Sequence, residues 1–221
     1  MDISGSYIEI VTGRYGEGTT EQNSTVDKIL GGENAKTRFE LYFHWYNILH
    51  ELGHSIMFYH AKNRPHMVDE EQLVNDFALA YWLQYGEKEK LALLVEMIEY
   101  ALAQLEYPVK SNVGYLDYAR SHWNSPDFFN FKNYGWFQFS CVESSLSKKR
   151  PLKGILAEMG VQNITEQPNR VLTYSIVDVD MPRKILKDAV IVLRDWGVLL
   201  PEAIITFDQD PNMHMSKIVE R

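Results

Sequence analysis

Cysteine is almost absent. The 221-residue chain has one, Cys141, so no disulfide can form within it. A small fold stapled by bridges is excluded, and a reducing, cytoplasmic compartment is expected. Positive charge is also short: 22 Lys and Arg stand against 30 Asp and Glu, a net charge of −8. Nucleic-acid binders usually show the opposite balance. The one basic cluster, Lys148, Lys149, Arg150 and Lys153, reads as a solvated turn, so no nucleic-acid partner is expected. No stretch approaches eighteen consecutive apolar residues, and no membrane span is expected. The opening MDISGSYIEI lacks the basic start and apolar run of a secretion signal.

Apolar and aromatic residues are abundant. The chain is 45% hydrophobic, with 13 Tyr, 10 Phe and 5 Trp, enough for one large domain or two small ones. Cys141 lies in an aromatic stretch and reads as a small core residue. The pattern predicts a strand over 6–13, a loop over 14–36 and a long helix over 36–61. Further helices are expected at 69–85 and 87–106, then a loop at 107–125. Ser125-Pro126 reads as the cap of a helix reaching about Leu146. After Ser147 the character changes, and a short helix (152–159), a strand (170–179), a helix (182–196) and a strand (203–207) are expected. The fold class is therefore α+β: a mainly helical core, a small β-sheet and a C-terminal β-α-β segment. A division at 1–147 and 148–221 follows, with the second part either a satellite domain or the completion of the N-terminal sheet.

The chemistry concentrates in the first long helix, at His50-Glu51-Leu52-Gly53-His54. Histidines four apart project from one helix face, so both imidazoles can reach one tetrahedral zinc ion. Glu51 stands beside the first, where its carboxylate can take a proton from a zinc-bound water and pass it to a leaving amine. A third ligand is needed. Glu71 follows seventeen residues after His54, in Glu70-Glu71-Gln72-Leu73-Val74-Asn75-Asp76-Phe77-Ala78. Glu71 and Asn75 share a helix face, so Glu71 can ligate zinc while Asn75 accepts a hydrogen bond from a ligand histidine. Gly53 lets the two helices approach closely.

These residues resemble the gluzincin-type metallopeptidases, in which H-E-x-x-H is followed by a helix bearing E-x-x-A-D/N. The look is closest to ImmA/IrrE-like and related bacterial metallopeptidases. The matching residues are His50, Glu51, His54, Glu71, Asn75, Phe77 and Ala78, over about residues 38–82, with Val74 where the usual residue is Ala. The resemblance implies a zincin-like core, zinc on His50, His54 and Glu71, Glu51 as general base, and a peptide or protein substrate. A zincin edge strand holds the substrate backbone, and Tyr7–Thr12 or the C-terminal strands can supply it. Such enzymes also need a donor for the tetrahedral oxyanion. His122 is the leading candidate, with Tyr115, Tyr118 and Tyr134 as alternatives. The competing expectation is a non-catalytic regulatory or partner-binding protein on the same scaffold, with a structural or sensory zinc. An open fourth position separates the enzyme from that alternative.

Overall fold

Alternation along Tyr7–Thr12 produces strand β1, whose Ile8 and Ile10 are fully buried because successive side chains point to opposite faces. The computed structural model describes residues 6–106, 108 and 113–207, and the backbone of 217–220. The expected loop after β1 contains helix α1 (Thr20–Leu30). Thr19 and Gln22 cap it reciprocally, each side chain accepting from the other's backbone N–H, and Gly31 closes it at φ 88°. That pairing is a capping box followed by a left-handed C-terminal glycine.

The expected long helix is present but uneven. It comprises α2 (Ala35–Phe39), a π-helical stretch (Glu40–Tyr46) and α3 (Asn47–His60). At the junction the Asn47 N–H donates to the Tyr42 carbonyl, five residues back. All six residues from Leu41 to Tyr46 are buried, and the wider turn spreads their large side chains around the axis. Trp45 stacks on Trp82 with centroids 4.1 Å apart.

Helix α4 (Met67–Tyr85) is buried along most of its length and packs on α3, on α7 (Phe131–Lys148) and on α8 (Leu152–Glu158). Burial on all sides marks it as the central helix. Helix α5 (Lys88–Gln104) packs on α1 and α7. Within the expected loop 107–125, residues 115–122 form helix α6 (Tyr115–His122); positions 107 and 109–112 of that loop lie outside the described residues. Helix α7 starts later than Ser125-Pro126 suggests, because Asn130 accepts hydrogen bonds from the Lys132 and Asn133 N–H groups and so caps it.

The C-terminal part departs from the expected β-α-β pattern. Residues 170–179 form no strand. Instead, the Leu172 N–H donates to the Tyr85 carbonyl at the end of α4, and the Tyr174 hydroxyl donates to Asp188. The Leu172 and Tyr174 N–H groups are thus satisfied singly, by a helix end and by the Glu87 carboxylate, rather than by a neighbouring strand. Helix α9 (Met181–Asp195) follows and packs on α3. Strand β2 (Glu202–Phe207) then pairs in parallel with β1, in register Tyr7↔Glu202 through Thr12↔Phe207. Strand β3 (Lys217–Glu220) pairs antiparallel on the other side, giving the order β2-β1-β3. Both strands that flank β1 thus come from the C-terminal part. Among the described residues, no helix is long and apolar enough to cross a membrane.

Candidate metal centre

Helix α3 presents His50 and His54 one turn apart, with ring centroids separated by 5.0 Å. Helix α4 crosses beside it at Gly53. A Cβ added there would lie 2.9 Å from Val74 Cβ and 3.1 Å from Phe77, so only glycine admits this approach. The crossing brings Glu71 against both rings. Its Oε2 is 3.2 Å from His50 Nε2, and its Oε1 is 3.6 Å from His54 Nε2. The three ligand atoms all lie within 4.8 Å of one another. Zinc bond lengths of 2.0–2.1 Å imply tetrahedral ligand–ligand edges of about 3.3 Å, so the donor set suits a metal ion in chemistry and the two His–Glu separations lie near that edge. Among the described residues the cluster has these three members, and a fourth protein ligand is not among them.

The electrostatics also call for a cation. His54 Nδ1 lies 2.7 Å from Glu70 Oε1, a carboxylate that can only accept, so this nitrogen carries the proton. In a neutral ring, Nε2 then turns a lone pair toward Glu71. Two facing lone pairs are stable only around a proton or a metal ion. Burial opposes charge on His54, yet the Glu71 charge and hydrogen bonds to Glu70 and Glu71 outweigh it and push the imidazole up to about 10. Burial likewise opposes ionisation of Glu71, but His54 and His50 hold its carboxyl well below the usual range.

Helix α7 supplies the support for Glu71. Gln138 Nε2 donates to Glu71 Oε2 at 2.7 Å and to the Tyr134 oxygen at 2.9 Å, and the Tyr134 hydroxyl donates to Glu71 Oε1 at 3.3 Å. Asn75 does not meet a histidine. Its amide donates to the Glu71 carbonyl and to Gln138 Oε1, while its Oδ1 accepts from the Tyr46 hydroxyl. It steadies Glu71 through Gln138. The carboxylate behind His54 is Glu70, which accepts from Arg64 Nε at 2.8 Å and also from Arg64 Nη2. Glu51 is buried beside the cluster, with Oε1 accepting from Asn47 Nδ2 at 3.0 Å. Burial raises its pKa above the ordinary value, against the opposing pull of His50 and His54.

His122 does not join this group. Its ring is exposed, stacks on Tyr118 at 4.4 Å and is tied by Nδ1 to the Tyr118 carbonyl one turn back in α6. Of the three tyrosine alternatives, Tyr134 reaches the cluster, whereas Tyr115 bonds Gln72 and Tyr118 is buried against Phe128 and Trp136. His44 is held by Glu40 and the Gly13 carbonyl, and His60 by Leu199; His214 lies outside the described residues. Cys141 is fully buried, and burial pushes its thiol well above the ordinary range, away from nucleophilic use. In the basic cluster, Arg150 is turned onto Asp76 and Glu158, and Lys153 pairs with Glu166. Tyr134 was one of the sequence-based alternatives, whereas Gln138 had no local signal; the i, i+4 spacing of the two on α7 is meaningful only once α7 lies on α4. Compared with known proteins, the chain matches no family model, no curated protein and no solved structure.

Proposed function

We propose that this protein is a zinc-dependent metallopeptidase of the gluzincin type, acting on a peptide or protein substrate in a reducing, cytoplasmic compartment. The observation that carries the reading is the meeting of His50, His54 and Glu71 around one point, with Glu51 buried alongside. A zinc ion held by those three side chains supplies Lewis acidity, polarising a carbonyl and making water nucleophilic near neutral pH. Glu51 is the general base. Its elevated pKa suits both halves of the task, accepting a proton from water and delivering it to the leaving amine. Burial keeps the Tyr134 hydroxyl protonated, its pKa well above the ordinary value, so it is a hydrogen-bond donor at the edge of the centre. Tyr134 replaces His122 as the residue assigned to the developing oxyanion. Gln138 and Asn75 keep Glu71 in place.

The test is metal content and peptide cleavage across a short series. Wild type is expected to hold one equivalent of zinc and cleave members of a peptide library. His54→Ala and Glu71→Ala are expected to lose the metal. Glu51→Gln is expected to keep it while activity drops by about 10²–10⁴-fold, the range of a lost general base. Stoichiometric zinc in all of these variants and the wild type would place the metal elsewhere. Zinc binding by wild type without cleavage of any peptide would favour a structural or sensory role.

A further inference from the structure

The two histidines of the centre are held in different ways. His50 is 5% exposed at its side chain, and its Nδ1 is buried with no hydrogen-bond partner among the described residues; packing fixes this ring. His54 is 18% exposed, and packing alone leaves it freer. Behind it stands Glu70, whose side chain is 5% exposed and whose Oε1 lies 2.7 Å from His54 Nδ1. Glu70 is in turn gripped through both oxygens by the Arg64 guanidinium, from the connector between α3 and α4. A two-point fork of this kind restricts rotation of the carboxylate as well as adding energy. Consecutive residues of α4 therefore clamp one ring from two sides, with Glu70 at Nδ1 and Glu71 facing Nε2.

We propose that Glu70, locked by Arg64, is the positioning residue for His54. It sets the Nδ1–H tautomer, aims the Nε2 lone pair at the metal and raises the basicity of that ligand. The proposal rests on the metal-centre reading above and adds an outer partner that the motif itself does not name. A carboxylate behind a ligand histidine contributes both orientation and ligand strength. The arrangement also links metal binding to the 61–66 connector, because Arg64, 42% exposed at its side chain, bonds Glu70 directly behind His54.

The experiment measures zinc affinity by chelator competition on the full chain, together with the thermal unfolding of each metal-free variant. Nitrogen-edited NMR of the zinc-loaded imidazoles gives a second reading. Glu70→Ala is expected to bind zinc about 10–100-fold more weakly than wild type and to lose the protected His54 Nδ1 proton. Glu70→Gln keeps an acceptor oxygen without the charge, so it is expected to keep that proton and fall between the two in affinity. Arg64→Ala is expected to weaken binding less than Glu70→Ala does. If His54→Ala and Glu71→Ala lose zinc while Glu70→Ala binds within about twofold of wild type, the positioning role is overturned and the metal centre stands. Should Glu70→Ala fail to fold, wild-type affinity in both Glu70→Gln and Arg64→Ala overturns it equally. Zinc retained by His54→Ala and Glu71→Ala would instead defeat the centre itself.

Discussion

Tyr134 and His122 show how much a single side chain's surroundings matter. Both can donate a hydrogen bond, but only Tyr134 has its donor atom against a ligand, 3.3 Å from Glu71 Oε1. Removal of that hydroxyl is expected to leave zinc binding nearly unchanged, because Gln138 still holds the other Glu71 oxygen at 2.7 Å. Turnover should fall. Loss of one oxyanion donor commonly costs about 10²–10³-fold in kcat, so Tyr134→Phe should show a loss of that size with KM little moved. Peptide hydrolysis measured on the zinc-loaded variant checks it, and a kcat within threefold of wild type would assign the donor elsewhere. His50, Glu51 and His54 were legible in the sequence because their relation is local, set by helix geometry. Glu71 was legible from its place early in the next helix. Tyr134 stood only among the alternatives to His122, and Glu70, Arg64 and Gln138 were not singled out, since an acidic residue in a first turn or a tyrosine in a helix has many ordinary uses.

Among the elements, the α3–α4 crossing governs the centre. Alanine at a helix-interior glycine ordinarily gains about 1 kcal/mol from helix propensity. At Gly53 the added methyl would meet Val74 Cβ at 2.9 Å, and Phe77 at 3.1 Å stands behind it. Overpacking of this kind costs about 1–3 kcal/mol and Val74 is β-branched, with little freedom to turn aside. Gly53→Ala is therefore expected to be destabilising by about 1 kcal/mol net and to weaken zinc binding, since the displaced helix carries Glu71. Chemical denaturation with and without zinc checks both, and a stabilised variant would show that the helices can separate freely. The helices themselves were largely readable, as α4, α5, α8 and α9 lie close to their expected bounds. Helix α1 was missed although Thr19, Gln22 and Gly31 carry a capping box and a stop; its weakly apolar middle hid it. The strand expected at 170–179 failed for a different reason. β-branched residues such as Val171, Val177 and Val179 suit a strand, but they are exposed here with no ladder beside them.

Across the whole molecule, the chain closes on itself at two places. One is the sheet, where β1 near the start meets β2 near residue 205. The other is a seam at the end of α3. His60 Nε2 lies 3.0 Å from the Leu199 carbonyl oxygen and 3.2 Å from the Leu199 nitrogen, and the His60 carbonyl sits 2.5 Å from where a Cβ on Gly160 would be. Burial holds the His60 imidazole below its ordinary value, with the Leu199 carbonyl partly offsetting that effect. A pKa lowered in the folded state means the folded chain prefers the neutral ring. The contribution of His60 is thus complete above its unfolded value, near 6.5, and is lost as pH falls through the folded value. Stability is expected to decline less between pH 7 and 5 in His60→Gln than in wild type. Denaturation midpoints across that range check it, and parallel declines would remove His60 as the cause.

The sequence by itself determined the α+β class, most of the helices and a histidine pair with its glutamate, because each follows from periodicity or spacing within one segment. It also determined that a third ligand on the following helix was within reach. Only the tertiary structure decided what surrounds the helix that carries His50 and His54: Gly53 against Val74, Glu70 and Arg64 behind His54, α7 bringing Tyr134 and Gln138 to Glu71, and β2 returning to β1. Apart from Arg64 on Glu70, six positions away, those contacts join residues from 16 to 197 positions apart, and the direction of a side chain across such a gap depends on how elements pack rather than on their own patterns.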